Sequence, residues 1–217
     1  KNSFHGSLNP LSQFQKELTV EEVLAARTII EPLTLTMCSP VGDGAAAIIL
    51  VSERKARELG LRNSVRVMAS ALATGWDWEQ EGDNVGTLAS DLAYEAAGIG
   101  PQDISCVELH DASAPSEIMA YEYLGLCRPG EGAGMIESGA TRLGGRLPVN
   151  TSGGLLRKGH PVAATGCAQI VELTKQLQGR AERRQIENAR IGMAHNAGGL
   201  IGMDAASTVV TILGREE

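Results

Sequence analysis

The sequence predicts an α/β fold in which helices cover a mostly parallel sheet. Two observations predict it. Short runs of apolar, often β-branched residues alternate with segments of helical spacing, and several of the helical segments end at a glycine. Alternation of this kind is typical of parallel strands that are joined by helical crossovers. Such folds bind ligands beyond the carboxyl ends of their strands, so polar residues that follow a strand are the first candidates for a site.

The first predicted elements are a helix, a strand and a second helix. The segment TVEEVLAARTI predicts the first helix, because Thr19 suits the N-cap and Glu22 lies at the capping-box position. The rest of the first 40 residues is expected to be loop. The continuous apolar run GAAAIILV, residues 44–51, predicts a strand. The segment ERKARELG follows it and predicts a helix that ends at Gly60.

The alternation continues to the end of the chain. Residues 64–74 predict a strand, and residues 86–100 predict a helix with a glycine stop. A short apolar strand is expected at 104–112, and its end carries His110 and Asp111. The remaining predicted elements are helices at 115–126 and 163–179 and two apolar strands in ARIGMAHNAGG and DAASTVVTILG.

Composition and missing motifs argue against several classes of function. The formal net charge of -7 leaves no electrostatic footprint for nucleic acid, and no apolar run reaches the roughly 18 residues that a membrane-spanning helix needs. The four cysteines lack CxxC spacing and there is no HExxH, so no metal site is expected. Phosphate-loop and GxSxG patterns are also missing. The expected location is the cytoplasm.

Three of the four histidines have similar settings, beside a tight turn: His110 in ELHDAS, His160 in KGHPVA and His195 in MAHNAGG. If these loops meet at one end of the sheet, the three imidazoles and Asn196 would surround one pocket. The glycines that would let the backbone approach a ligand are Gly159, Gly198 and Gly199. The alternative is that each histidine only caps or hydrogen-bonds nearby backbone.

The order of four motifs carries a resemblance. The segments VELHDASAPSEIMAYEYLG, VNTSGGLLRKGHPVAATG and HNAGG, followed by a β-branched strand, resemble the C-terminal half of the thiolase superfamily. Within that superfamily, the sequence most resembles the branch of sterol-carrier and lipid-transfer proteins. The corresponding motifs in that branch are HDCF, NPSGG, GHP and HNLG. This resemblance implies two stacked halves in a layered αβαβα sandwich, working as a dimer on acyl-CoA. Residues 1–54 would then end the first half and residues 64–217 would form the second.

The resemblance also implies roles for single residues. His160 would be the base that activates a cysteine of the first half, as in other nucleophile and base pairs. His110 would bind the thioester oxygen in an oxyanion site, with Asp111 supporting its orientation. Asn196 and His195 complete the expected catalytic set. The expected substrate-binding residues are Asp111, Gly159, Gly198 and Gly199. A coenzyme A thioester is expected as substrate, with no permanently bound cofactor.

The sequence departs from the family pattern at two places. Ala112 stands where HDCF has its cysteine, and Asn196 begins the triplet that stands where ordinary thiolases have a late CxG cysteine. Cys38 lies in LTMCSPVGDG, which matches family sequence downstream of the nucleophile. The chain alone is therefore not expected to complete a thiolase cycle, and its expected partners include the N-terminal thiolase half, as well as a second copy of itself.

Two alternatives stay open. One is a retro-aldolase of the same fold, which acts on a hydroxyacyl-CoA with a zinc-ribbon and OB-fold subunit. Those aldolases have tyrosines near the positions of His110 and His160, so the histidines favour thiolase chemistry. The other is a non-catalytic acyl-CoA or lipid-binding protein. Arg157 and Lys158 are candidates to meet CoA phosphates, although basic residues beside a turn are more often solvated. Trp76 and Trp78 are candidates to stack on adenine or to pack on their own domain.

Overall fold

The structure is a computed structural model that describes residues 1–75 and 84–216. Its helices are α1 (Asn2–Ser7), α2 (Val20–Leu24), α3 (Glu53–Glu58), α4 (Val85–Ala97), α5 (Ala114–Tyr123), α6 (Gly132–Glu137), α7 (Gly154–Lys158) and α8 (Thr165–Leu177). Its strands are β1 (Thr28–Ile30), β2 (Leu33–Thr34), β3 (Val65–Thr74), β4 (Cys106–Glu108), β5 (Ile191–Gly198) and β6 (Ser207–Arg215). Among the described residues, no helix has the length and apolar character needed to cross a membrane.

A four-stranded sheet organises the chain, with strand order β3, β6, β5, β4. Strand β6 pairs antiparallel with both β3 and β5, while β4 pairs parallel with β5. Three of the four strands therefore run in one direction, as predicted, although β6 makes two of the three pairings antiparallel. Strands β1 and β2 form a separate antiparallel pair.

The alternation of side chains along the strands divides the core into two layers. Met193 of β5 packs in the larger cluster, together with Tyr94 of α4 and Tyr121 of α5. Its neighbour Ala194 packs on the other face, in a smaller cluster with Leu173 of α8. Helices α4 and α5 thus cover one face of the sheet and α8 covers the other, so a residue's place in β5 decides which layer its side chain enters.

Local signals in the sequence predicted most elements correctly. The capping box of α2 is confirmed, because Thr19 Oγ1 accepts from the Glu22 N–H at 3.2 Å and Glu22 Oε2 accepts from the Thr19 N–H at 2.9 Å. The glycine stop of α4 is confirmed as Gly98, which has a φ of 67°. Helices α1, α6 and α7 lie in segments that were expected to be loops, since helices of five or six residues are too short to show helical periodicity.

The strand predicted at 44–51 is wrong. Residues 44–52 have no regular secondary structure, and Ile49 and Leu50 are 89% and 76% exposed. A strand forms only where a neighbour pairs with its backbone, and no described residue pairs with this run. The apolar pattern was sufficient to suggest a strand but carries no information on the pairing partner.

Candidate active site

The loop that follows β4 carries His110 and is held from three sides. The Leu109 N–H donates to Asn150 Oδ1 at 2.8 Å, and the His110 N–H donates to His195 Nδ1 at 3.4 Å. Asp111 Oδ1 accepts from the Leu155 N–H at 2.6 Å. These contacts hold the loop at Leu109, His110 and Asp111. The loop backbone is therefore fixed on both sides of the His110 side chain.

Asp111 is hydrogen-bonded inside the protein on both of its carboxylate oxygens. Its side chain is fully buried, and its second oxygen accepts from Asn2 Nδ2 at 2.9 Å. Burial, and next the charge of Glu117, raise the pKa of Asp111 well above its ordinary value. With both oxygens occupied inside the protein, Asp111 supports the His110 loop, and this geometry does not favour the predicted contact with substrate.

The loop that carries His160 begins where α7 ends. Gly159 has a φ of 105°, a conformation that side chains rarely adopt, and it turns the chain from Lys158 into His160. His160 Nδ1 lies 2.8 Å from Thr165 Oγ1, and this hydroxyl also lies 3.1 Å from the Pro161 carbonyl oxygen. When the hydroxyl donates to the carbonyl, it accepts from His160 Nδ1–H, which leaves a lone pair on Nε2 in the neutral ring. This arrangement gives His160 the tautomer that a base requires.

The rings of His110 and His160 face each other. Their centroids are 4.9 Å apart and their planes are perpendicular. Burial, then the charges of His160 and Lys158, lower the pKa of His110 to about 4. Burial and then Lys158 also lower the pKa of His160. Both imidazoles are therefore neutral at neutral pH, and the pair offers a ring N–H donor beside a lone-pair acceptor.

His195 does not join this pair. Its ring lies against Tyr123 at 5.5 Å between centroids, and burial lowers its pKa to about 3. It is 1% exposed, and its Nδ1 accepts from the His110 backbone. The predicted meeting of three imidazoles thus holds for two of them, while His195 supports the loop from behind. The alternation along β5 is the reason, because it turns His195 to the same side as Met193.

The side chain of Asn196, the next residue of β5, lies on the face of the sheet that α8 covers. Its Nδ2 donates to Gln169 Oε1 at 3.1 Å, and its Cγ would lie only 3.6 Å from a Cβ added to Gly166. Gly166 follows Thr165, the residue that orients His160, so Asn196 belongs to the same neighbourhood. The exposed pair Gly198 and Gly199 ends the strand, and its predicted contact with substrate stays a prediction.

Comparison with known proteins identifies the family. Residues 82–215 match the family of thiolase C-terminal domain-like proteins. The chain belongs to the thiolase superfamily. Sterol carrier protein 2 of Oryctolagus cuniculus is 41% identical over 207 residues, which are 91% of this chain and 38% of that protein. The relatives also support the sterol-carrier branch that the motifs indicated.

Two further comparisons widen the range of chemistry among relatives. Acetyl-CoA acetyltransferase of Methanothermobacter thermautotrophicus is 43% identical over 209 residues, covering 94% of this chain and 54% of that enzyme. A solved structure of the Ltp2-ChsH2(DUF35) aldolase matches with a TM-score of 0.82 at 25% identity, covering 99% of this chain and 56% of the other. The thiolase-like fold is therefore confirmed, and the chain spans about half, or less, of the proteins it matches.

Several supporting residues of the candidate site were missed in the sequence. The segment Cys38–Val41 links the two histidine loops, because the Ser39 N–H donates to the Ala112 carbonyl at 2.9 Å and Val41 bridges His160. Long-range backbone pairing of this kind leaves no local signal. Thr165 and Gln169 of α8 did leave one: they begin a buried polar stripe of helical spacing that continues at Glu172 and Gln176.

The two basic residues ahead of Gly159 are not solvated. Arg157 is 7% exposed, donates from Nη2 to the Lys16 carbonyl at 2.6 Å and lies 5.3 Å from the centroid of the Phe14 ring. Lys158 Nζ is also buried. Trp76 and Trp78 lie outside the described residues. Across residues 1–75 and 84–216, no group of three metal-ligating side chains could hold an ion.

Proposed function

We propose that this chain supplies the second-half residues of an acyl-CoA acyltransferase of the thiolase type. The observation that carries the proposal is the facing pair of neutral imidazoles, His110 and His160, in a family whose members include an acetyl-CoA acetyltransferase. Such a pair offers a base and a hydrogen-bond donor 4.9 Å apart, measured between ring centroids. Acyl transfer needs both, one for the nucleophile and one for the oxygen that becomes negative.

In the proposed first step, His160 Nε2 takes the proton from a cysteine thiol of the N-terminal thiolase half. The thiolate sulfur forms a bond to the thioester carbonyl carbon, and the carbonyl π electrons move to oxygen. The ring N–H of His110 donates to that oxyanion. When the carbonyl re-forms, the bond from carbon to the CoA sulfur breaks, and His160 returns the proton to the CoA thiolate.

The proposal stops at acyl transfer to and from that cysteine. A full Claisen cycle also needs a base at the α carbon of a second acyl-CoA. Ala112 and Asn196 stand where relatives have cysteines, and neither side chain is a base. We therefore assign no α-carbon base to this chain. Within the same proposal, Asn196 and His195 act by supporting the pair, the substrate is a CoA thioester, and no permanently bound cofactor is needed.

The aldolase match favours a second candidate function. A TM-score of 0.82 over 99% of the chain is compatible with retro-aldol cleavage of a hydroxyacyl-CoA, together with a zinc-ribbon and OB-fold subunit. The histidines at 110 and 160 favour acyl transfer instead, since the resemblance gives aldolases tyrosines near these positions. A non-catalytic lipid-binding role does not account for an imidazole that is oriented by a hydrogen bond to Thr165 Oγ1. A homodimer, the N-terminal half as partner and a cytoplasmic location remain part of the proposal.

The test is an assay of the full-length gene product with a panel of acyl-CoAs and free CoA, followed through thioester absorbance. Acyl exchange that is lost in His160→Ala supports acyl transfer. Release of an aldehyde or ketone from a hydroxyacyl-CoA identifies the aldolase instead. Binding of acyl-CoA with no turnover in the wild-type protein contradicts both enzymatic proposals. Lys175→Met, a charge change near the far end of α8, is the matched control and is expected to keep wild-type rates.

A further inference from the structure

Lys158 holds an ammonium group in an unusual environment. It is the last residue of α7 and lies two residues before His160. Its Nζ is buried and has no hydrogen-bond partner among the described residues. Lysines near a surface usually keep the charged end in water, and buried polar groups are nearly always paired. The described part of the fold therefore supplies this ammonium with no acceptor in direct contact, which leaves room for a role in the neighbouring site.

The nearby carboxylates do not pair with this ammonium. Glu108, at the end of β4, accepts from the Ser152 N–H at 2.9 Å and from Ser152 Oγ at 2.5 Å, and also from Thr151 Oγ1 at 3.3 Å. Burial and then Glu172 raise the pKa of Glu108 to about 7, whereas Lys158 lowers it. Glu172 itself pairs with Arg184 Nη2 at 2.9 Å. The charge of Lys158 is thus felt by Glu108 but is not cancelled through direct contact.

The same charge reaches both imidazoles of the pair. Glu108 is the last residue of β4, and His110 follows two residues later in the loop. Lys158 and His160 are separated only by the turn at Gly159. After burial, the Lys158 charge contributes to the lowered pKa of His110 and of His160. Lys158 and Glu108 thus stand two residues before the two facing rings, Lys158 at the end of α7 and Glu108 at the end of β4.

We propose that Lys158 is a positioning residue for acyl transfer, whose buried ammonium sets a positive field at the His110 and His160 pair. The inference rests on the proposed function. The field stabilises the negative charge that develops on the thioester oxygen, and it keeps both imidazoles unprotonated, so that His160 retains its lone pair. A charge in a site of low dielectric acts more strongly than in water and needs no contact with the substrate. The function would also explain why the ammonium is left without a partner.

The test compares Lys158→Met and Lys158→Arg in the full-length gene product. We expect Lys158→Met to lower kcat/KM for acyl exchange at least about tenfold, in keeping with the loss of one electrostatic contribution. The acid limb of its pH profile should move to higher pH, because His160 gains protons more easily without the charge beside it. Lys158→Arg should keep the position of that limb. Lys175→Met removes an equal charge about 15 Å along α8 from Thr165, at 1.5 Å per residue, and should change neither quantity.

Stability and imidazole titration separate this inference from the proposed function. Removing an unpaired buried charge should leave the melting temperature equal or higher, so a Lys158→Met protein that melts earlier would show that Lys158 serves the fold and would overturn the inference. NMR titration with labelled histidine should show higher pKa values for His110 and His160 in Lys158→Met. Unchanged pKa values, or normal turnover with an unmoved acid limb, overturn the inference alone. Absence of acyl exchange in the wild type overturns the proposed function and, with it, the catalytic part of this inference.

Discussion

His110 and His160 face each other and are partly exposed, whereas His5 and His195 are sealed inside the protein. His5 uses both ring nitrogens on the backbone: Nδ1–H donates to the Asn150 carbonyl at 3.0 Å, and Nε2 accepts from the Leu143 N–H at 2.9 Å. Among the described residues, His160 uses only Nδ1, on the Thr165 hydroxyl. The comparison teaches that a ring serves the fold when both nitrogens are engaged, as in His5, or when the ring is sealed, as in His195, whose Nε2 has no partner among the described residues. A partly exposed ring with a free nitrogen is available for chemistry.

The strongest challenge to this comparison is His160→Ala. Loss of a general base typically costs about 10²–10⁴-fold in rate, and we expect a fall of that size in kcat/KM for acyl exchange by the full-length protein. The melting temperature should stay close to wild type, because the His160 side chain is only partly buried. His5→Leu should show the opposite pattern, with a lower melting temperature and a normal rate per folded molecule. Turnover near the wild-type rate in His160→Ala would break the division between the two kinds of histidine.

The burial of His5 should also make the stability of the protein depend on pH. Burial, then the charge of Lys1, lower the pKa of His5 from 6.5 to about 4. Between pH 6.5 and about 4, His5 is protonated in the unfolded chain but stays neutral in the folded protein. The His5 contribution to stability is therefore present above pH 6.5 and is lost as the pH falls to about 4. The slope is about 1.4 kcal/mol per pH unit for one histidine.

The measurement for His5 is urea denaturation of wild type and His5→Leu across this pH range. At neutral pH the variant should be less stable by about 1–3 kcal/mol, since the Asn150 carbonyl and the Leu143 N–H lose their partner. The gap should narrow as the pH falls from 6.5 to 4. Comparing the two proteins is necessary because Glu108 and Asp111, whose pKa values are raised, contribute slopes of the opposite sign. A gap that stays constant with pH would contradict a buried, neutral His5.

The contrast between the histidines also shows how far the sequence could reach. The strand before His110 and the turn at the glycine before His160 could be predicted from the sequence, because local residue pattern and backbone preference determine them. The face on which His195 lies was not, since it depends on the register of β5 against β4 and β6. Nor did the apolar run at 44–51 reveal that no described residue pairs with it. Local chemistry predicted where the loops are, and pairing between distant segments decided which rings meet.

Thr165→Val tests whether the hydrogen bond from His160 Nδ1–H to Thr165 fixes the position of the ring proton. Valine keeps the shape and the backbone N–H, which donates to the Pro161 carbonyl at 3.0 Å, but removes the acceptor of His160 Nδ1–H. With the tautomer no longer fixed, we expect kcat/KM to fall about tenfold, the effect of losing a hydrogen bond of about 1.4 kcal/mol. Thr165→Ser should retain activity. Nitrogen NMR shifts of the His160 ring report the tautomer, and a fixed Nδ1–H in the valine variant would contradict the assigned role of Thr165.

Substitution of Asn196 should have the smallest effect on kcat/KM, and its size separates a supporting role from direct contact with the thioester. It donates to Gln169 Oε1, while Gln169 Nε2 in turn donates to the His195 carbonyl at 3.0 Å, so the amide pair joins α8 to β5 beside the histidines. If Asn196 only supports this joint, Asn196→Ala should lower kcat/KM by only a few fold, since a single neutral hydrogen bond contributes about 1 kcal/mol. Gln169→Ala should cost more, because it breaks both bonds. A loss of a hundredfold or more in Asn196→Ala, with kcat and not KM affected, would instead mean that the amide meets the reacting thioester, at the position where thiolase relatives have their late cysteine.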